Sequence, residues 1–150
     1  MLKVFLSLLL GLIMNQAVAA NLALENQLAD NPSPYLALHS TDPVAWQEWN
    51  EDILERAKAE KKLVFLSIGY FSCHWCHVMQ RESYKDKDVA QWLNEHFIPV
   101  KIDRELEEAL DARMISFAEK TQGRAGWPLN VFVTPEGYPL YAALYLPQDN

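Results

Sequence analysis

From Leu63 to Ile68 every position except Ser67 is apolar, and Gly69 ends the run. A short continuous apolar stretch of this kind reads as a central strand buried on both faces. Ile98, Val100 and Ile102 alternate with other residues within Phe97 to Asp103, the pattern of a second strand. Pro99 within it lacks an N–H and must sit where no ladder donor is needed. Leu129 to Val133 is a third strand, and Thr134-Pro135-Glu136-Gly137 is a turn. Pro139 to Leu146 follows as a fourth strand, a hairpin partner of the third. Helical spacing appears between these runs. Trp46, Trp49, Ile53 and Ala57 recur at intervals of three and four, with Asp42 as a cap and Pro43 at the first helical position. Asn50 offers a second start, at Glu51, which would split the region into two short helices. A helix carrying Cys76, Val78 and Met79 opens after the first strand and is broken or kinked between Ser83 and Lys85. Asp86 caps another, with Val89, Trp92 and Leu93 on one face. Leu106, Leu110, Met114 and Phe117 mark a further amphipathic helix. Asn21 to Ser40 is an irregular lead-in, with Pro32 and Pro34 opposing a regular helix, and Gly123 to Gly126 is a loop. The order helix, strand, helix, strand, helix, strand, strand predicts an α/β chain with a mixed sheet.

The first residues belong to another pattern. Lys3 precedes an apolar stretch from Val4 to Met14, and Ala17-Val18-Ala19-Ala20 supplies small residues. This is a secretory signal peptide over residues 1–19, with cleavage near 19/20, and residues 20–150 form one domain. The stretch is shorter than the roughly 20 apolar residues of a bilayer span, so no stable membrane span is expected after cleavage. The expected location is the periplasm or the exterior. Charge narrows the partners: 20 acidic residues against 13 Lys and Arg give a formal net charge of −7. A nucleic-acid surface needs clustered cations. The densest cluster here, Lys58, Lys61 and Lys62, lies beside Glu55 and Glu60, so nucleic acid is not an expected partner.

Both cysteines lie in Cys73-His74-Trp75-Cys76. In an oxidising compartment two cysteines this close form a disulfide or a redox pair. A bridge closing so short a loop stabilises little, which favours chemistry over stapling. At a strand–helix junction Cys73 faces unpaired N–H groups and the positive end of a helix dipole, so its pKa is expected to be lowered. Cys76 lies one turn on, placed to resolve a mixed disulfide formed at Cys73. His74 and Trp75 are positioned to tune the thiolate. Protein thiols or disulfides are the expected partners, with a membrane electron donor or acceptor behind them, and no cofactor is required. Three alternatives remain open. Cys73-x-x-Cys76-His77 spells the attachment motif of c-type haem. Cys73, Cys76, His74 and His77 together are metal-ligand types, although structural zinc sites draw on separated pairs. The fold can also serve as a non-catalytic interaction module with an inert disulfide. Trp127-Pro128, between a glycine-containing loop and an apolar strand, is either an ordinary trans start of a strand or a cis turn facing the cysteines.

Ser33-Pro34-Tyr35-Leu36, Asp42-Pro43-Val44-x-Trp46-x-x-Trp49, Phe65 to Tyr70, Cys73-His74-Trp75-Cys76-His77-Val78-Met79, Arg81-Glu82-Ser83, Val100 to Glu105 and Gly126-Trp127-Pro128-Leu129 together resemble the thioredoxin-like domain of the spermatogenesis-associated-protein family. The resemblance runs from about Asn26 to Pro147. It implies a thioredoxin fold, a redox-type pair at Cys73 and Cys76, and a cis Pro128; beside it, the residues themselves make His74, Trp75 and His77 the candidate tuning groups and Trp127-Pro128 the candidate substrate-docking turn. The chain also departs from the pattern. Many members continue into a large helical domain, and the last helix of an ordinary thioredoxin is missing here. Cover for that sheet face must then come from the N-terminal segment and a partner, or from further chain. The buried acid that thioredoxins carry six residues before the first cysteine is Ser67, which leaves His77 or Glu82 as candidates for moving the proton. Ala125-Gly126 stands where the family has Gly-Gly.

Overall fold

The computed structural model describes residues 23–147; the signal peptide read at residues 1–19 lies outside them. Strands β1 (Leu63–Gly69), β2 (Phe97–Asp103), β3 (Leu129–Val133) and β4 (Pro139–Ala143) form one sheet in the order β2-β1-β3-β4. β1 is parallel to β2 and antiparallel to β3, and β4 is antiparallel to β3. Helices α1 (Pro34–Ala37), α2 (Glu51–Glu60), α3 (His74–Met79), α4 (Lys87–His96) and α5 (Glu108–Gln122) surround it, and a π-helical turn, Gln80–Tyr84, continues α3. The mixed sheet and the helical interruption near Ser83 match the sequence pattern. Among the described residues no helix is long and apolar enough to cross a membrane.

Because side chains alternate across a strand, the sheet divides the core in two. Val64, Leu66 and Ile68, with Ile98, Val100 and Ile102 and with Leu129, Val131 and Val133, pack against Ile53, Ala57, Leu110, Met114 and Ala118 from α2 and α5. The opposite face holds Phe65 against Leu28, Tyr35, Trp46, Met79, Tyr84 and Leu93. Register sets this second face in rows. Phe65 lies opposite Pro99 and Phe132, Ser67 opposite Lys101 and Asn130, and Gly69 opposite Asp103. An aromatic row is thus followed by a polar row and then by a bare glycine, above which α3 begins. No helix follows β4 among the described residues, and the N-terminal segment supplies cover through Leu28, Tyr35 and Trp46.

That segment corrects the expected helix at Asp42-Pro43. Residues 43–49 are not helical. Gln47 instead extends the sheet beyond β2, its N–H reaching the Pro99 carbonyl at 2.9 Å and its carbonyl accepting from the Lys101 N–H at 3.1 Å. N–H and C=O of one strand residue point to the same side, so the missing donor of Pro99 faces this outer edge. The helical stripe begins only at Glu51, where Asn50 Oδ1 accepts from the Ile53 N–H at 3.1 Å. A single helical turn forms despite Pro32 and Pro34, because Ser33 caps it and Pro34 takes the first position, where no N–H is needed. Three smaller differences follow from packing. Trp92 is exposed, stacking on His96, while Ala90 and Leu93 take the buried face of α4. Leu106 precedes α5 and is exposed. β4 stops at Ala143, and the Leu144 carbonyl turns to the Asn130 side-chain amide.

Candidate functional site

β1 ends at Gly69, and the turn that follows delivers Cys73 to the N-terminus of α3. Cys73 is the cap residue, its Sγ accepting from the Cys76 N–H at 3.2 Å. The two cysteines form a disulfide, with Cα atoms 5.3 Å apart. Cys73 keeps 4% of its surface exposed and Cys76 only 1%, so the bridge meets solvent at one edge. Its rim is aromatic. Trp75 and Phe71 are both about half exposed, at 53%. Trp75 lies 5.0 Å from the Tyr145 ring and 5.5 Å from the His74 ring. His77 is turned aside, its Nε2 2.6 Å from the Phe71 carbonyl. Glu82 accepts from the Tyr145 hydroxyl. Neither proton-handling candidate therefore stands free beside the sulfurs. Among the described residues no three of His, Cys, Asp and Glu converge as ligands would on a metal ion.

The Trp127–Pro128 peptide bond is cis. Trp127 packs against the cluster that contains both cysteines. Its indole N–H donates to Asp111 Oδ1 at 2.8 Å, and the Arg104 guanidinium lies 3.9 Å above its ring. A cation over an indole face is attracted by the ring quadrupole, so Trp127 is clamped from two sides. The sequence-selected residues Cys73, Cys76 and Trp127 come together, with Trp75 and His74 on the rim.

Beneath the disulfide lies a polar cluster that motif reading did not select. Lys101 is fully buried and donates to Ser67 Oγ at 2.8 Å. Ser67 pairs with the Tyr84 hydroxyl at 2.9 Å, and Tyr84 donates to Asn130 Oδ1 at 2.7 Å. The only consistent order runs from Lys101 through the Ser67 and Tyr84 hydroxyls to Asn130, since an ammonium has no acceptor. The ammonium lies 5.1–5.4 Å from the ring centroids of Tyr35, Trp46 and Tyr84. Burial pushes its pKa down to about 7, with Asp42 opposing. Burial also raises the Tyr84 hydroxyl, despite its bond to Ser67.

Next to it, buried His39 holds Asp42 through Nδ1 and Oδ2 at 2.6 Å. Burial, reinforced by the charge of Lys101, pushes the imidazole down to about 4. Burial works against ionisation of Asp42, but hydrogen bonds from His39, Gln80 and Lys85 outweigh it and hold the carboxyl below its ordinary range. Tyr35, fully buried, completes the cluster at 5.2 Å from the His39 ring. Its hydroxyl and His39 Nε2 are the two buried side-chain polar atoms without a hydrogen-bond partner among the described residues. Such a group costs on the order of 1–3 kcal/mol. The available signal was Lys101 itself, a charge at a core position of an apolar strand.

Residues 25–150 match the family described as Thioredox_DsbH: Protein of unknown function, DUF255. Spermatogenesis-associated protein 20 of Mus musculus is 40% identical over 125 residues, which are 83% of this chain and 16% of that protein. The chain thus spans under a fifth of the length of that relative. Among solved structures, a DsbH oxidoreductase superposes with a TM-score of 0.56 at 22% identity, over 69% of this chain and 74% of its own. A disulphide-isomerase candidate of Bacteroides thetaiotaomicron, solved in solution, gives 0.55 at 27% identity, over 71% and 84%. The fold is thioredoxin-like, as the resemblance implied.

Proposed function

The chain belongs to the Thioredox_DsbH family, DUF255, and from that premise we propose that it is a thiol-disulfide oxidoreductase acting on protein thiols or disulfides in the periplasm. The observation that carries this reading is the Cys73–Cys76 disulfide at the N-terminus of α3. There, the Cys76 N–H that donates to Cys73 Sγ and the helix dipole favour thiolate over thiol at Cys73. In this reading Cys73 is the nucleophile and Cys76 the resolving thiol. His74, Trp75 and His77 tune the pair, and Trp127-Pro128 docks an extended substrate segment. The half-exposed rings of Trp75 and Phe71 give a polypeptide an apolar surface to lie on. The name of the Bacteroides relative supports the same chemistry, and the leader-like segment at residues 1–19 supports export. A membrane electron donor or acceptor would restore the pair after each turnover.

A second reading, a non-catalytic interaction module, draws on the near-complete burial of Cys73. Trapping separates the two. Cys76→Ala leaves Cys73 unable to release a mixed disulfide, so the variant should accumulate covalent adducts with protein substrates that reductant dissolves. The Cys73→Ala/Cys76→Ala double variant should accumulate none. A folded Cys76→Ala protein that captures nothing from an extract of its own compartment would leave the module reading standing.

A further inference from the structure

Gly69 has no side chain, and two atoms use the space. A Cβ built there would stand 2.7 Å from Cys76 Sγ and closer still to the Tyr35 hydroxyl oxygen. The hydroxyl and the resolving sulfur are therefore neighbours across a bare glycine, sealed from solvent. No hydrogen bond joins them while the sulfur is bonded to Cys73, and among the described residues the hydroxyl has no other partner. The remaining charged groups around Tyr35 are already engaged. Asp103 accepts from the Ser33 hydroxyl at 2.6 Å, Asp42 from His39, and Lys101 donates to Ser67.

We propose that Tyr35 is the hydrogen-bond donor to Cys76 Sγ in the reduced protein, stabilising the thiolate that departs when the disulfide opens. The inference rests on the thiol-disulfide reading above. An incoming thiolate forms a bond to Cys73 Sγ, the Cys73–Cys76 bond breaks, and its electron pair leaves on Cys76 Sγ as a thiolate. Tyr35 keeps its proton and points it at that charge. A hydroxyl is suited to this duty because burial and the nearby Tyr84, Asp103 and Asp42 hold its pKa well above the ordinary tyrosine value. It can donate without ionising. Below pH 7, where it is protonated, Lys101, 5.2 Å from the Tyr35 ring centroid, places positive charge behind it. The donor arrives from the N-terminal segment, at a site where Ser67 stands in place of an acid.

The hydroxyl is unpaired in the oxidised form and paired in the reduced form, so removing it must penalise reduction alone. Equilibration of the full chain with glutathione buffers, followed by thiol trapping, should show Tyr35→Phe favouring the disulfide three- to tenfold more than the parent protein. Tenfold corresponds to about 30 mV for this two-electron couple. In melting experiments the oxidised variant should match or exceed the oxidised parent, whereas the reduced variant should melt below the reduced parent. A purely structural tyrosine would shift both forms equally. Equilibria agreeing within twofold, or equal losses in both forms, overturn the proposal. If Tyr35→Phe does not fold, the infrared difference spectrum between reduced and oxidised parent decides: a tyrosine C–O band must shift on reduction, and a silent band overturns it. A parent disulfide that glutathione and dithiothreitol never open would remove the oxidoreductase reading itself, and this inference with it.

Discussion

Lys101 carries a buried ammonium on one side-chain hydrogen bond, to Ser67, with aromatic faces around it. Stability must therefore follow its proton. Its pKa is about 7 folded against 10.5 unfolded, so between these values the unfolded chain binds the proton that the folded chain has released. Folding stability then rises with pH across that interval and is lowest, for this group, below pH 7. Lys101→Met removes the charge at similar length. It should stabilise the protein by a few kcal/mol at pH 6, and the gain should fade as pH climbs towards 10; urea midpoints at the two pH values check this. Equal midpoints for parent and variant at pH 6 would mean that the ammonium is better solvated than its burial implies. This residue also shows where the sequence stops being legible. Cys73 and Cys76 declare themselves because their chemistry is local. The partners beneath them meet through sheet register: Ser67, Lys101 and Asn130 are distant in the chain and become one row only once β1 lies between β2 and β3.

At the scale of elements, alternation and caps were readable where one strong local rule acts unopposed. β1, β2 and β3 follow their apolar pattern, and α4 begins after Asp86, whose carboxylate accepts from the N–H groups of Asp88 and Val89. The N-terminal segment was not readable, because long-range hydrogen bonds decide it. Asp42 has the residue type of a helix cap, yet its carboxylate is spent on His39, Trp46, Gln80 and Lys85. Asn26 donates to the carbonyls of His39, Asp42 and Val44 at 2.9–3.2 Å, folding residues 39–44 around one amide. Deleting that amide removes a bond from each of three carbonyls and leaves that of Asp42 with no other donor among the described residues, whereas deleting a helix cap typically costs about 1 kcal/mol. Asn26→Ala should therefore destabilise the protein by roughly 2–3 kcal/mol and Asn50→Ala by about 1 kcal/mol, measured as shifts in urea midpoint. The reverse ranking would show that the N-terminal segment is only loosely held to the second core.

For the whole molecule, the two cores respond differently to acid. The face between the sheet, α2 and α5 is apolar, whereas the face beneath α3 contains His39, Asp42 and Lys101. His39 titrates at about 4 folded, against 6.5 unfolded, because it is buried beside Lys101. Its contribution is present above pH 6.5 and is lost as pH falls towards 4, at up to about 1.4 kcal/mol per pH unit. His39→Gln retains a donor for Asp42 and should flatten the loss of stability between pH 6.5 and 4.5 in urea titrations. A slope equal to that of the parent protein would assign the acid response to carboxylates elsewhere. The stitching of Gln47 to β2 has a different consequence, one for crowded solutions. An open sheet offers its outer strands as templates on which other chains can polymerise. Here Gln47 occupies the Pro99 carbonyl and the Lys101 N–H on one border, and Pro99 itself withholds a donor. On the other border β4 is short, begins at Pro139, and lies next to a register shift at Phe132/Val133. Among the described residues neither border presents a long regular ladder, so strand-by-strand fibril growth finds no ready seed there.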